Sequence, residues 1–206
     1  VTHQSEAIER LREKTELFEL GIHPNMLSGS THGKTEDEVL THVMSIVPNA
    51  ISMRTHGLYQ TSNWLAKAAK EYGILVDVSL FLPRADNLSP HKIKWNGALL
   101  WRIPYFWGDN SEMFEDAPIW SLSDERLKIH GLKVFDFHPI HIALNADRFE
   151  RYEYLKSIRP LKFWDEEFIK KHANTDIGPQ TLFLDLVKML SGKGTQIRDI
   201  VNKVQI

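Results

Sequence analysis

Three histidines stand just after short apolar runs that lie far apart in the chain. His23 follows the run 18–22, His56 the run 50–53 and His138 the run 133–137. His32 and His141 sit in the same loops. Neutral imidazole binds zinc and similar divalent ions, and it also titrates near neutral pH. The chain has no cysteine, so disulfides, Fe–S clusters, thiolate zinc sites and a cysteine nucleophile are excluded. A metal here must be held by histidine and carboxylate, and a catalytic site would keep one position open for water. His138 and His141 also form an HxxH pair, but on a strand or turn two residues three apart need not face one way.

Other polar residues stand near the same run ends. Arg54, two residues before His56, either orients a carboxylate or anionic substrate or forms a salt bridge that holds its loop. Asp77 interrupts the apolar run Val76-Asp77-Val78; it is either a site residue or, the favoured reading, a carboxylate held by nearby backbone N–H groups. Asp109 is a possible ligand or base, or the first half of a turn-forming Asp-Asn pair. Tyr105 and Trp107 belong to an aromatic cluster that suits stacking on a sugar ring or packing in a core. Gly192-Lys193-Gly194-Thr195 lacks the upstream glycine of a phosphate loop and follows no strand. Neither a GxSxG elbow nor an HExxH helix is present.

These side chains need elements to position them. Ser5 caps a helix expected over 5–17. Thr35 with Glu38 forms a capping box opening a helix to Ile46. Thr61 or Ser62 caps a third helix, which stops at Gly73. Strands are expected over 18–22, 50–53, 74–82, 99–103 and 133–137, with a polar loop over 83–97. Helices are expected over 147–157, 164–173, 179–190 and 195–204. Strands alternating with helices imply a parallel α/β sheet, open or closed, whose loops at the strands' carboxyl ends share one face. The three histidines are expected to converge there.

Composition agrees with an ordinary folded protein: of 206 residues, 42% are hydrophobic and 25% charged, with a formal charge of −2. The expectation is one domain over the whole chain, with 158–206 a helical extension packed on it. The balance of charge gives no general nucleic-acid binder. No apolar stretch is long enough to span a membrane. The charged first twenty residues are no signal peptide, and with the missing cysteines they fit a cytoplasmic protein. The sequence begins with Val1 rather than Met.

Several segments together resemble the polysaccharide deacetylase superfamily, the NodB-homology fold. Glu19-Leu20-Gly21-Ile22-His23-Pro24-Asn25 is similar to its second motif, in which a strand delivers a metal-binding histidine. Ser52-Met53-Arg54-Thr55-His56-Gly57 occupies the place of the third motif. Tyr72-Gly73-Ile74-Leu75-Val76-Asp77-Val78-Ser79 resembles the strand after it, and Phe137-His138-Pro139 the late motif. The ensemble is most similar to a divergent branch linked to O-antigen biosynthesis, the WbmS-like deacetylases.

That resemblance implies a distorted (β/α) barrel, a divalent metal, zinc foremost, and removal of an acetyl group from a sugar or polysaccharide. It implies that His23 binds the metal, that Arg54 orients the catalytic carboxylate and that His138 is the general acid. Leu27 stands where the family has its second histidine, so His32 or His56 must supply that imidazole. The family's first motif, a strand ending in TFDD, is expected upstream of Val1; otherwise Asp109, or Asp136, stands in for its carboxylates. Tyr105, Trp107 and His141 are expected to contact substrate. The alternatives are a non-catalytic carbohydrate-binding protein on the same fold and another hydrolase of non-peptide C–N bonds.

Overall fold

The structure, a computed structural model, describes residues 1–204. Residues 205 and 206, the end of the expected helical extension, lie outside the described residues. The chain divides into two compact units.

The first unit comprises Val1–Phe81, Ser89–Pro104 and the residues from Thr195. Helix α1, Glu6–Arg12, starts where the Ser5 hydroxyl accepts the Ile8 N–H. It stops well short of residue 17. None of its residues is buried, and a helix this short has little to propagate it without a packed face. Helix α2, Glu36–Ile46, has the expected capping box and buries Val39, Leu40 and Val43 on one face. Strand β1, Ser52–Met53, leads to helix α3, Ser62–Tyr72, which Thr61 caps. Gly73 ends α3 at φ 71°, a left-handed turn that costs a glycine nothing.

Strands β2, Val76–Asp77, β3, His91–Trp95, and β4, Ala98–Arg102, complete a sheet in the order β1-β2-β4-β3. The first three in that order are parallel, and β3 runs antiparallel to β4. Strand β3 lies inside the segment expected to be a loop. Only Ile93 and Trp95 in it are apolar and it is mostly exposed, so its short alternation does not stand out from the polar loop. The signal was the Asn96-Gly97 pair, which takes φ of 46° and 73° and closes a two-residue hairpin between Trp95 and Ala98. The expected strand at 18–22 reduces to one parallel bridge, Ile22 to Met53. Ile22, Leu40, Val43, Met53, Trp64, Ile74 and Leu100 fill the core of this unit. The helix Ile197–Val204 also belongs to it.

The second unit comprises Leu82–Leu88 and Tyr105–Gly194. Strand β5, Trp107–Gly108, runs straight into the short helix α4, Asp109–Glu112, and pairs in parallel with β6, Phe135–Asp136. Four helices follow: α5, Pro139–Leu144, α6, Phe149–Ile158, α7, Glu166–His172, and α8, Pro179–Leu190. Phe106, Trp107, Ile119, Leu144, Leu155 and Leu182 form its core.

The fold is therefore mixed α/β, with a four-stranded mixed sheet and a two-stranded parallel one. Among the described residues, no helix is long and apolar enough to cross a membrane.

Candidate functional site

In the first unit the two strand-end histidines are set by backbone pairing. Ile22 N–H donates to Ser52 O at 3.0 Å, Arg54 N–H to Ile22 O at 3.0 Å, and His56 N–H to Pro24 O at 2.9 Å. The pairing runs past the end of β1 and zips the loop after His23 against the loop after Met53. The side chains meet as a result: His23 Nε2 lies 3.3 Å from His56 Nδ1, with the rings edge to face. Two nitrogens bound to one tetrahedral zinc at 2.0–2.1 Å are separated by about 3.3–3.4 Å, so the pair fits two ligands of one ion.

His32 is placed differently. It is buried, and its Nδ1 accepts the Asn25 N–H at 3.2 Å. Burial lowers its pKa, and the neighbouring His42, His3 and His56 lower it further. It is therefore neutral near pH 7, with its lone pair already used and its proton on Nε2. A neutral imidazole in that state has no lone pair left for a metal. It serves instead to hold the His23-Pro24-Asn25 loop. Arg54 stands half-buried between Met53 and the His56 loop.

In the second unit the parallel register pairs Gly108 with Asp136, so Asp109, one residue on, and His138, two residues on, come side by side. Asp109 is fully buried and His138 about a third exposed. One carboxylate oxygen of Asp109 accepts the His138 backbone N–H at 2.6 Å, and the other lies 2.6 Å from His138 Nδ1. Burial pushes the Asp109 pKa up, but His138 and His141 outweigh it, and the net shift is downward. The carboxyl is thus ionised, and Nδ1 must donate. His141 Nδ1 approaches the same carboxylate at 3.1 Å. Pro139 opens α5 directly after His138, and this turn settles the HxxH question: His141 N–H bonds to His138 O at 2.9 Å, and the rings lie 4.8 Å apart. Among the described residues, Asp109, His138 and His141 are the three whose potential ligand atoms all lie within 4.8 Å of one another.

Three substrate-contact expectations meet buried side chains. Tyr105 and Trp107 are 2% and 0% exposed. Trp107 packs on Trp120, Phe135 and Phe137, a core role that leaves no face for a sugar. His141 is buried between Asp109 and the Tyr152 ring. Asp136, at the end of β6, lies 4.0 Å from His138 Nδ1.

Asp77 is fully buried, and Ser79, through its backbone N–H and its hydroxyl, and Arg102 hold it. The Ser79 hydroxyl donates to Oδ1 at 2.6 Å, and Arg102 Nε lies 2.6 Å from Oδ2. Burial nevertheless raises the Asp77 pKa against the opposing pull of Arg102 and Ser79. The partners Arg102 and Gln60 escaped the sequence reading. The Asp-x-Ser spacing was visible, but the partners across the sheet carry no local signal.

Comparison with known proteins shows the family of the chain. The sequence model of the WbmS-like polysaccharide deacetylases matches residues 1–156. The crystal structure of WbmS from Bordetella bronchiseptica, assigned as a polysaccharide deacetylase involved in O-antigen biosynthesis, is similar to this chain. Its TM-score is 0.75 at 28% identity, covering 92% of this chain and 76% of that one. A search of curated proteins finds no match.

Proposed function

The chain belongs to the WbmS-like polysaccharide deacetylases, hydrolases of C–N bonds other than peptide bonds, and from that premise we propose that it removes an acetyl group from an N-acetylated sugar of O-antigen. In this reading the enzyme depends on a divalent metal, zinc foremost, acts in the cytoplasm, and has the distorted barrel of its superfamily. The observation that carries the metal is the 3.3 Å separation of His23 Nε2 from His56 Nδ1. These two would hold the ion, and His32, its lone pair engaged by Asn25, would not. When bound, the metal polarises the acetyl carbonyl and lowers the pKa of a water.

The remaining roles fall to the chain's own groups. Asp109 fixes the tautomer and orientation of His138 by taking its Nδ1–H. That leaves Nε2 to carry the proton delivered to the departing sugar amine. Asp109 then positions rather than accepts a proton, because both of its oxygens are occupied by His138 N–H groups. Asp136 is the remaining described candidate for the base that takes the water proton. Arg54 keeps the orienting role that the family resemblance gives it.

One observation favours a second reading: Asp109, His138 and His141 could themselves hold the ion. Against it stands the engagement of both carboxylate oxygens by His138 N–H groups. Acetate release from N-acetylated sugars, measured with and without EDTA and after zinc reloading, tests the proposal. Zinc-dependent release that His23→Ala abolishes supports it. Activity indifferent to EDTA, or zinc binding lost in His141→Ala but not in His23→Ala, overturns the assignment.

A further inference from the structure

Beneath His56 lies a closed polar network that none of the roles above employs. Thr55, Asp77 and Ser79 are each 0% exposed. Thr55 N–H donates to Ser79 Oγ at 2.9 Å, and the Ser79 hydroxyl donates onward to Asp77 Oδ1 at 2.6 Å. The Thr55 hydroxyl donates to Tyr59 O at 2.7 Å, across the 3-10 turn His56–Leu58. Arg102 Nε faces Asp77 Oδ2 at 2.6 Å, and the same guanidinium donates to Gln60 Oε1. Gln60 Nε2 closes the ring by donating to Ser79 O at 3.2 Å.

The proton count is strict. Ser79 has one hydroxyl proton, and the carboxylate takes it. Its oxygen is thereby turned to accept the Thr55 N–H, the last backbone donor before His56. His56 N–H is in turn bonded to Pro24 O at 2.9 Å. The peptide that carries His56 is thus tied on one side to the loop of His23 and on the other, through Ser79, to Asp77. A salt bridge alone would have served stability. A carboxylate that aims a hydroxyl at the residue beside a ligand candidate does something more specific.

We propose that Asp77 and Ser79 are positioning residues for His56, holding its Nδ1 at ligand distance from His23 Nε2. The proposal rests on the reading of His23 and His56 as metal ligands, and it extends that reading to a buried pair which touches neither substrate nor ion. Partners that orient a metal ligand contribute about 10–100-fold in metal affinity.

The test is calorimetric titration of Zn2+ into the whole chain, compared with Ser79→Ala, Asp77→Asn, His56→Ala and the core control Val43→Ala. Val43 is buried in the same unit, on α2, which carries no residue of the network. Ser79→Ala is expected to lose about 10–100-fold in zinc affinity, and Asp77→Asn to lose affinity in the same direction. Val43→Ala is expected to melt earlier yet bind zinc normally. Cobalt-loaded Ser79→Ala should show an altered d–d spectrum. If His56→Ala loses zinc while both network variants bind within twofold of wild type, the positioning role is overturned and the ligand assignment stands. If His56→Ala binds zinc normally, the ligand assignment itself is overturned. Should one network variant fail to fold, the other decides.

Discussion

Replacing Asp109 with asparagine isolates the contribution of one buried carboxylate. Asp109 accepts two N–H groups from a single residue, the backbone and Nδ1 of His138, each at 2.6 Å. Asparagine has one oxygen, so one of these donors must face an amide N–H2. A hydrogen bond to a charged acceptor is lost, about 1.5–3 kcal/mol, and a donor is left unsatisfied, about 1–3 kcal/mol. His138 is a third exposed, so solvent screens part of this and the lower end of the sum, about 2.5 kcal/mol, applies. Domains of this kind have about 5–15 kcal/mol in hand, so Asp109→Asn should still fold and can be assayed.

The pH dependence has a definite sign. The folded Asp109 pKa lies below its ordinary 3.8. Its stabilising contribution is therefore complete above about pH 4 and is lost as pH falls through the lowered value. Denaturant midpoints of wild type and Asp109→Asn should differ most at neutral pH and converge in acid. Deacetylation should show the same dependence on the carboxylate. General acids contribute about 10²–10⁴-fold, so His138→Ala should fall within that range. Asp109→Asn should fall short of it and move the alkaline limb of the kcat profile to lower pH. A variant with unchanged midpoint from pH 3 to 7 and unchanged kcat would refute the dyad.

Other outcomes follow from single contacts. His32→Ala should keep zinc within a few-fold of wild type while His23→Ala loses it, as read by metal content after dialysis, because the His32 lone pair faces the Asn25 N–H. Gly21→Ala should destabilise the first unit by about 1–3 kcal/mol in denaturant, since a Cβ there would sit 2.7 Å from Ser52 Oγ and 2.9 Å from Ser52 O. Thr35→Ala should cost about 0.5–2 kcal/mol by the same measurement, as it removes half of the α2 capping box.

The parts of this chain that sequence reasoning reached are those governed by local rules. The α2 boundary follows from Thr35 and Glu38, the α3 boundary from Thr61 and Gly73, and α8 from its own apolar periodicity. Long-range choices were out of reach. Nothing near Trp107 says whether an aromatic after a strand faces substrate or core; that was decided by the Phe135 and Phe137 rings of a segment far along the chain. Asp109 was read as a possible base because its residue type and place allowed it. Its role as an orienting group depends on the register of β5 with β6, which no local pattern encodes.

His23 and His56 were visible as candidates, yet why they meet is a matter of register as well. Strand β1 has only two residues, and its partner on that side is a single bridge. Such short pairing would slip if the side chains did not fix it. Gly21 allows the backbone to approach Ser52 without a Cβ, and Ile22 and Met53 bury their side chains in one core at 1% exposure each. A slip of the Ile22 segment by one residue would turn Ile22 out of that core. The same slip would put His23 on the opposite face from His56. The apolar residues that stabilise the strand ends therefore also select the one register in which two imidazole nitrogens stand 3.3 Å apart, so core packing and the metal-binding geometry are set by one pairing and cannot be varied independently.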